Sequence, residues 1–356
     1  MESDLGPLMP LWERERAAGR PVALGILTKT LGSTYQRPGA LLLVSSRGEY
    51  AGLISGGCLE GDLAEHARAV IESGRARVID YDLRDPNDLV WGLGAGCEGA
   101  MHVLLVRVGP AEQWEPLNRL AQAYAAHSPA AVGLIAETDD PQLPLGAVFG
   151  DDRAPDALSD AARAALAAAP RAERPLWHRE PGRYALFLLP LALPPRLLLL
   201  GAGPDAVPLT RIARELHWKV TVADHRTAFA TAERFPSAHR IVQARPEALD
   251  EALTLSAFEA AVVMSHQLQT DREYLRALAR SAVPYVGLLG PPARRDRLLA
   301  ELGEDGERLA GRLHAPVGLN LGGRAPQAIA VSIVAEILAH RHRHLDQTGS
   351  RGPADP

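Results

Sequence analysis

Cysteine is nearly absent from this chain, which has 356 residues and two thiols, Cys58 and Cys97. Two cysteines make no disulfide scaffold, and without C-x-x-C spacing they make no zinc site. No apolar run is long enough to suggest a membrane span. The longest, FLLPLALPPRLLLL (187–200), is broken by Pro190, Pro194, Pro195 and Arg196 and reads as two strands joined by a linker. An excess of positive charge is missing too: the net charge is -5. That excludes a protein dominated by phosphate-backbone binding, but it leaves room for a local basic pocket that takes a small anion. No signal peptide is recognisable, and with free thiols this points to the cytoplasm, with no nucleic acid or membrane as partner. Aromatic residues make up only 5%, whereas hydrophobic content of 47% and charged content of 23% are ordinary for a globular chain. The length predicts about two domains.

The most informative segment is Ile54-Ser55-Gly56-Gly57-Cys58-Leu59-Glu60, a turn that ends an apolar strand and opens the helical stretch LEGDLAEHARAVIES. Gly56 and Gly57 allow positive φ and close approach of a ligand. The first N–H groups of a helix lack internal partners and favour negative charge, so a cysteine there is favoured as thiolate. The turn therefore offers an anion cradle beside a reactive sulfur. The bland alternative is a tight connection whose cysteine is buried as a small hydrophobe. A second glycine cluster, WGLGAGCEGA (91–100), carries Cys97.

Along the chain, residues 1–110 form a glycine-rich mixed α/β domain. It contains an amphipathic first helix, a strand over PVALGILTKT, a hairpin through Arg47-Gly48, the helix after Cys58, and strands ARVIDYDL and MHVLLVRV. Residues 111–195 carry no chemical motif; they are expected to complete the first domain's sheet and lead to the second domain. From 196 to 345, strands RLLLL, WKVTVAD, FEAAVVMSH and PYVGLLG alternate with helices, the signature of a Rossmann-like, doubly wound parallel sheet. Residues 346–356 read as a disordered tail.

In the second domain, Gly201-Ala202-Gly203-Pro204-Asp205-Ala206 fits G-x-G-x-x-A between a strand and a helix, and Asp224 ends the next strand. In a Rossmann fold such glycines approach a diphosphate and the acid binds ribose hydroxyls. Arg226 is either a ligand for an extra phosphate or a partner of Asp224. Pro204 removes one N–H from the loop. His266, at the carboxyl end of the FEAAVVMSH strand, is a candidate proton donor, ligand contact or helix cap. Gly290, at the end of the next strand, permits close approach of a ligand. Asp271 reads as a dipole-stabilising acid at a helix start, and HRHRH (340–344) as an exposed helix end.

Taken together, GSTYQRPGA (32–40), GLISGGCLEGDL (52–63), WGLGAGCEG (91–99), LLLLGAGPDAVPL (197–209), VTVADHR (220–226), RFPSA (234–238), MSHQLQTDREYL (264–275), YVGLLGPPARR (285–295) and APVGLNLGGRAPQAIAVSIVAEI (315–337) resemble the XdhC/CoxI family in order and spacing. The chain departs from the family's pattern at Gln267, Pro291 and Gln327. The resemblance implies an accessory factor, more a cofactor-maturation chaperone than an enzyme with its own turnover. Such a factor carries molybdenum–molybdopterin as cargo, in the plain or cytosine dinucleotide form. It supports sulfuration of the cofactor with a cysteine desulfurase as sulfur donor, and inserts the cofactor into an apo-molybdenum hydroxylase. It also implies a homodimer. Cys58 and Cys97 are then the functional and molybdenum-contacting thiols, Gly56 and Gly57 the cradle, and Arg37 a phosphate partner. Two other readings stand beside it. One is an NAD(P)-dependent oxidoreductase using Gly201, Gly203 and Asp224. The other is a thiol or persulfide-transfer enzyme, whose disulfide form needs the two cysteine Cα atoms within about 7 Å.

Overall fold

The computed structural model describes residues 5–84, 99–150 and 154–348, with side chains through 342. Cys97 lies outside the described residues, as do residues 349–356. The chain divides into two compact units, Met1–Leu193 and Pro194–Pro356.

The first unit runs α1 (Met9–Ala17), β1 (Val22–Gly32), β2 (Leu41–Ser45), β3 (Tyr50–Gly52), α2 (Glu60–Ser73), β4 (Arg77–Asp82), β5 (Gly99–Val108), α3 (Leu117–Ala126), β6 (Ala131–Thr138), β7 (Val148–Gly150), α4 (Asp160–Ala168), β8 (Leu176–Glu180) and β9 (Tyr184–Pro190). One antiparallel sheet has the order β3-β2-β1-β5-β4. Residues 131–190 do not extend it, contrary to the sequence expectation. They form a separate antiparallel sheet, β7-β6-β9-β8. A strand's own alternation shows that it pairs but not with which neighbour, so the sequence left that partner open.

The two sheets share one core. Val22, Leu24 and Ile26 of β1 and Leu104 and Val106 of β5 meet Val132 and Leu134 of β6 and Phe187 and Leu189 of β9. The alternate residues Ala23, Leu27, Leu42, Val103 and Leu105 turn to the other face, under α2. On α2, Leu63, Ala64, Ala67, Val70 and Ile71 recur at helical spacing and are buried. Gly74 ends the helix in the left-handed conformation at φ 69°, its N–H bonded to the Val70 carbonyl. Sandwiched between two apolar layers, β1 is buried over its first seven residues and reads as a continuous apolar run.

The second unit runs β10 (Arg196–Leu200), α5 (Ala206–Glu215), β11 (Lys219–Asp224), β12 (Arg240–Gln243), α6 (Leu249–Ala252), β13 (Ala260–Val263), α7 (Leu268–Ala279), β14 (Tyr285–Leu288), α8 (Pro292–Leu302), α9 (Glu304–Glu307), β15 (Leu313–His314) and α10 (Pro326–Thr348). All six strands are parallel in the order β12-β11-β10-β13-β14-β15. This is the doubly wound dinucleotide-fold order, whose direction of winding reverses between β10 and β13. One face packs on α5 and α10, the other on α6, α7 and α8, so both faces are buried, as parallel sheets require. The edge strands β12 and β15, with four and two residues, are too short for a sequence period to reveal. Helix α10 continues to Thr348, three residues into the segment read as a tail. Nor is its end simply exposed: the His340 ring stands edge-on to Tyr285 and His314 at 5.3 Å from each.

Candidate functional site

The first unit's candidate site is the turn between β3 and α2. Gly56 and Gly57 take φ of 77° and 107°, conformations that a side chain would strain. The turn is held from beneath by Glu60, the first residue of α2, which is fully buried. Its Oε1 accepts the N–H groups of Ile54 (2.9 Å) and Ser55 (2.8 Å). Its Oε2 accepts the Ser55 hydroxyl (2.5 Å) and the Gly57 N–H (2.9 Å). The Ser55 Oγ in turn accepts the Leu59 N–H at 2.8 Å. Burial alone pushes the Glu60 carboxyl up. The Ser55 hydroxyl and the Ser55 and Ile54 N–H groups outweigh that and hold it below the usual carboxylate range. A buried charge is thus matched by a fan of donors.

On this base Cys58 is exposed and free, so the reading of a buried, inert thiol does not hold. The sequence-based expectation that backbone N–H groups here face a ligand needs correction for Gly57, whose N–H is taken by Glu60. The Tyr35 ring, 58% exposed, stands over Gly56; a Cβ there would meet it at 3.2 Å. Arg37, also exposed, lies in the same 33–40 loop. Gly99, at the start of β5, packs against the beginning of that loop, since a Cβ on it would lie 2.5 Å from the Ser33 carbonyl. Sequence reasoning did not single out Glu60, Ser55 or Tyr35. The available hint was an acid in the first turn of a helix that follows a glycine-rich loop.

In the second unit the glycine loop and His266 meet at the reversal of winding, at the carboxyl ends of β10 and β13. Gly201 has φ 122°, and a Cβ there would stand 2.7 Å from the Met264 carbonyl and the Ser265 nitrogen. Glycine is needed here so that two strand ends can close on each other. His266 takes φ 62°, rare for a non-glycine residue. Its Nε2 lies 2.7 Å from Asp205 Oδ2, so the ring pairs with the start of α5 and does not cap α7. The strand end that carries it is braced by Asp271. This fully buried carboxylate accepts the Ser265 N–H and hydroxyl and pairs with Arg294. Asp271 is therefore a structural hub and not simply a dipole-stabilising acid.

This loop does not fit a dinucleotide diphosphate. The Ala202 N–H donates to Asp224 Oδ2 at 2.7 Å, and Pro204 has no N–H. The Asp205 carboxylate folds over Gly203, its Oδ1 2.5 Å from where a Cβ would stand. Asp205 thus brings a carboxylate to the glycine loop, which disfavours an anionic diphosphate there. Asp224, 1% exposed, is also taken. The Arg226 guanidinium bonds it through Nε (3.0 Å) and Nη2 (2.7 Å), and the Arg226 N–H donates at 2.8 Å. Burial raises the Asp224 pKa, and these bonds more than reverse it. Arg226, stacked on Phe229 at 4.2 Å, is thus the partner of Asp224. Beside the loop, Pro204, His266, Leu289, Gly290, Pro326 and Ile329 line a mostly apolar cavity of about 510 Å³. Its chemistry suits a flat, uncharged ring with N–H donors: apolar walls, one imidazole, and the Asp205 Oδ1, which is buried with no hydrogen-bond partner among the described residues.

The chain thus carries a thiol-bearing glycine turn in its first unit and, in its second, a Rossmann sheet whose glycine loop is bonded to Asp224 and flanked by Asp205. Two family profiles match it: one for the XdhC and CoxI family over residues 15–82, and one for the XdhC Rossmann domain over residues 197–337. The chain belongs to the XdhC and CoxI family. It is 33% identical over 324 residues to a probable xanthine dehydrogenase subunit of Bacillus subtilis (strain 168), covering 90% of this chain and 93% of that one. It is 25% identical over 339 residues to the molybdenum cofactor insertion chaperone PaoD of Escherichia coli (strain K12), covering 92% and 86%. Among solved structures it resembles a xanthine dehydrogenase from Bacillus halodurans, with a TM-score of 0.77, 27% identity, and coverage of 96% and 97%. Among the described residues no helix is long and apolar enough to cross a membrane.

Proposed function

We propose that this protein is an accessory chaperone of a molybdenum hydroxylase, which carries the molybdenum–pterin cofactor as cargo and delivers it to the apo-enzyme in the cytoplasm. The observation that carries the reading is Cys58, a thiol held in solvent on a turn whose shape is set by a buried carboxylate. Such a thiol is a soft ligand suited to a metal centre that exchanges an oxo for a sulfido group. In the first unit Gly56 and Gly57 let the cargo approach the backbone, and Arg37, exposed in the 33–40 loop, is the proposed partner of its phosphate. Taken by itself, the second unit's cavity beside His266 and Gly290 suits a flat heterocyclic ring. Sulfuration with a cysteine desulfurase and a role for Cys97 belong to the same proposal, as does assembly as a homodimer. The likeness to the PaoD chaperone supports the cargo assignment.

The test is expression in a host that makes molybdenum cofactor, then purification, oxidation and fluorescence assay of released pterin beside molybdenum analysis. Pterin and metal are expected together, and both are expected to be lost in Cys58→Ala. Purified protein without pterin, and unable to raise the activity of an apo-hydroxylase, overturns the reading.

A further inference from the structure

The amino ends of the parallel strands β10, β11 and β12 carry a second cavity, of about 280 Å³, at the opposite end of the sheet from the glycine loop. Arg196, Lys219, His239 and Arg240 line it, together with the hydroxyl-bearing Thr221 and Thr254. These cations are distant in sequence and are gathered by register: Arg196 pairs with Lys219, and Thr221 with Arg240. Like charges opposed across neighbouring strands destabilise a sheet. Among the described residues, Glu259 Oε2 accepts the Arg196 N–H at 3.0 Å. Burial, and then Arg196, lower the Lys219 pKa; burial, and then Lys219, Arg196 and Arg240, lower that of His239.

We propose that this cavity binds a phosphate group, as inorganic phosphate or as a small phosphate monoester. A dianion seated there would meet two guanidinium groups and an ammonium, the strong charge-assisted donors for phosphate, with His239 gaining a proton as it arrives. The volume lies at the low end for ligand cavities and suits a phosphate with a small appendage, not a dinucleotide. The site shares no residue with the Cys58 turn or the His266 cavity, and stands independently of the cargo assignment.

The test is calorimetric titration of the full chain near neutral pH at constant ionic strength, with inorganic phosphate in one arm and adenosine monophosphate in the other. Saturable binding to a single site is expected, weakened about tenfold or more in Lys219→Ala and in Arg240→Met. A thermal melt without ligand supplies a second readout. Lys219→Ala is expected to remain folded at the titration temperature while binding more weakly, which separates a lost ligand contact from a lost fold. Proton resonances of the His239 ring should report a raised pKa when phosphate is added. Binding confined to inorganic phosphate assigns the site to the free anion; equal or tighter binding of the nucleotide assigns it to a monoester. No saturable heat in either arm, heats that chloride reproduces, or heats unchanged in both variants overturn the proposal.

Discussion

The Ser55 hydroxyl donates to the Glu60 carboxylate at 2.5 Å while its oxygen accepts the Leu59 N–H at 2.8 Å, so one buried serine ties both ends of the Cys58 turn together. Glu60→Ala strands four donors, three of them buried, and should destabilise the protein by about 3 kcal/mol, measured by urea denaturation. Glu60→Gln keeps an acceptor oxygen and should cost less. The pH dependence has a definite sign. The folded pKa lies below the ordinary value of 4.5, so the carboxylate's contribution is full above that value and is lost as pH falls through the folded one. The gap between wild type and Glu60→Gln should narrow on acidification; a gap of constant size from neutral to acid pH would contradict it.

A second buried carboxylate behaves alike in α1. Glu15 is fully buried and accepts Arg20 Nε (2.7 Å) and Nη2 (3.1 Å) and Arg14 Nε (3.0 Å). The Arg20 bond leads in lowering its pKa from 4.5 to about 2, against the opposing pull of burial. Arg20→Met should destabilise the protein at neutral pH. That difference should fade between pH 4.5 and about 2 as the wild-type carboxylate protonates. Chemical denaturation at several pH values checks it.

Cys58 is exposed, so in a Cys97→Ala background it should react with DTNB in the folded protein at a rate within about tenfold of the unfolded chain. Labelling that waits on added denaturant would show a thiol shielded in solution.

Gly201 and Gly203 share a motif yet should respond differently to alanine. At Gly201 a Cβ meets backbone at 2.7 Å with φ at 122°, whereas at Gly203 the nearest atom is the movable end of Asp205. Gly201→Ala is expected to cost about 3 kcal/mol or more, and Gly203→Ala about 1 kcal/mol. Equal losses in urea melts would refute the close packing of β10 on β13.

With Asp205 over Gly203 and Asp224 held by Arg226 and the Ala202 N–H, calorimetry with NAD or NADP should give no saturable heat. Tight binding of either that Asp224→Ala weakens would restore the oxidoreductase reading.

The parallel sheet of the second unit was legible because strands buried on both faces are continuous apolar runs, and amphipathic helices separate them. The Gly56-Gly57-Cys58 turn was legible because glycine pairs at strand ends have few other uses. Each of these is written in adjacent residues, and that much the sequence determined by itself. The tertiary structure alone decided the rest. It put residues 131–190 in their own sheet, turned Cys58 outward, and set Glu60 beneath the turn. It bound Asp224 to Arg226 and the glycine loop, and laid the Asp205 carboxylate over Gly203. It also brought Arg196, Lys219, His239 and Arg240 to one cavity through the register of parallel strands. These outcomes depend on which surfaces meet across tens of residues, and a charged side chain's partner is fixed only once those surfaces have closed.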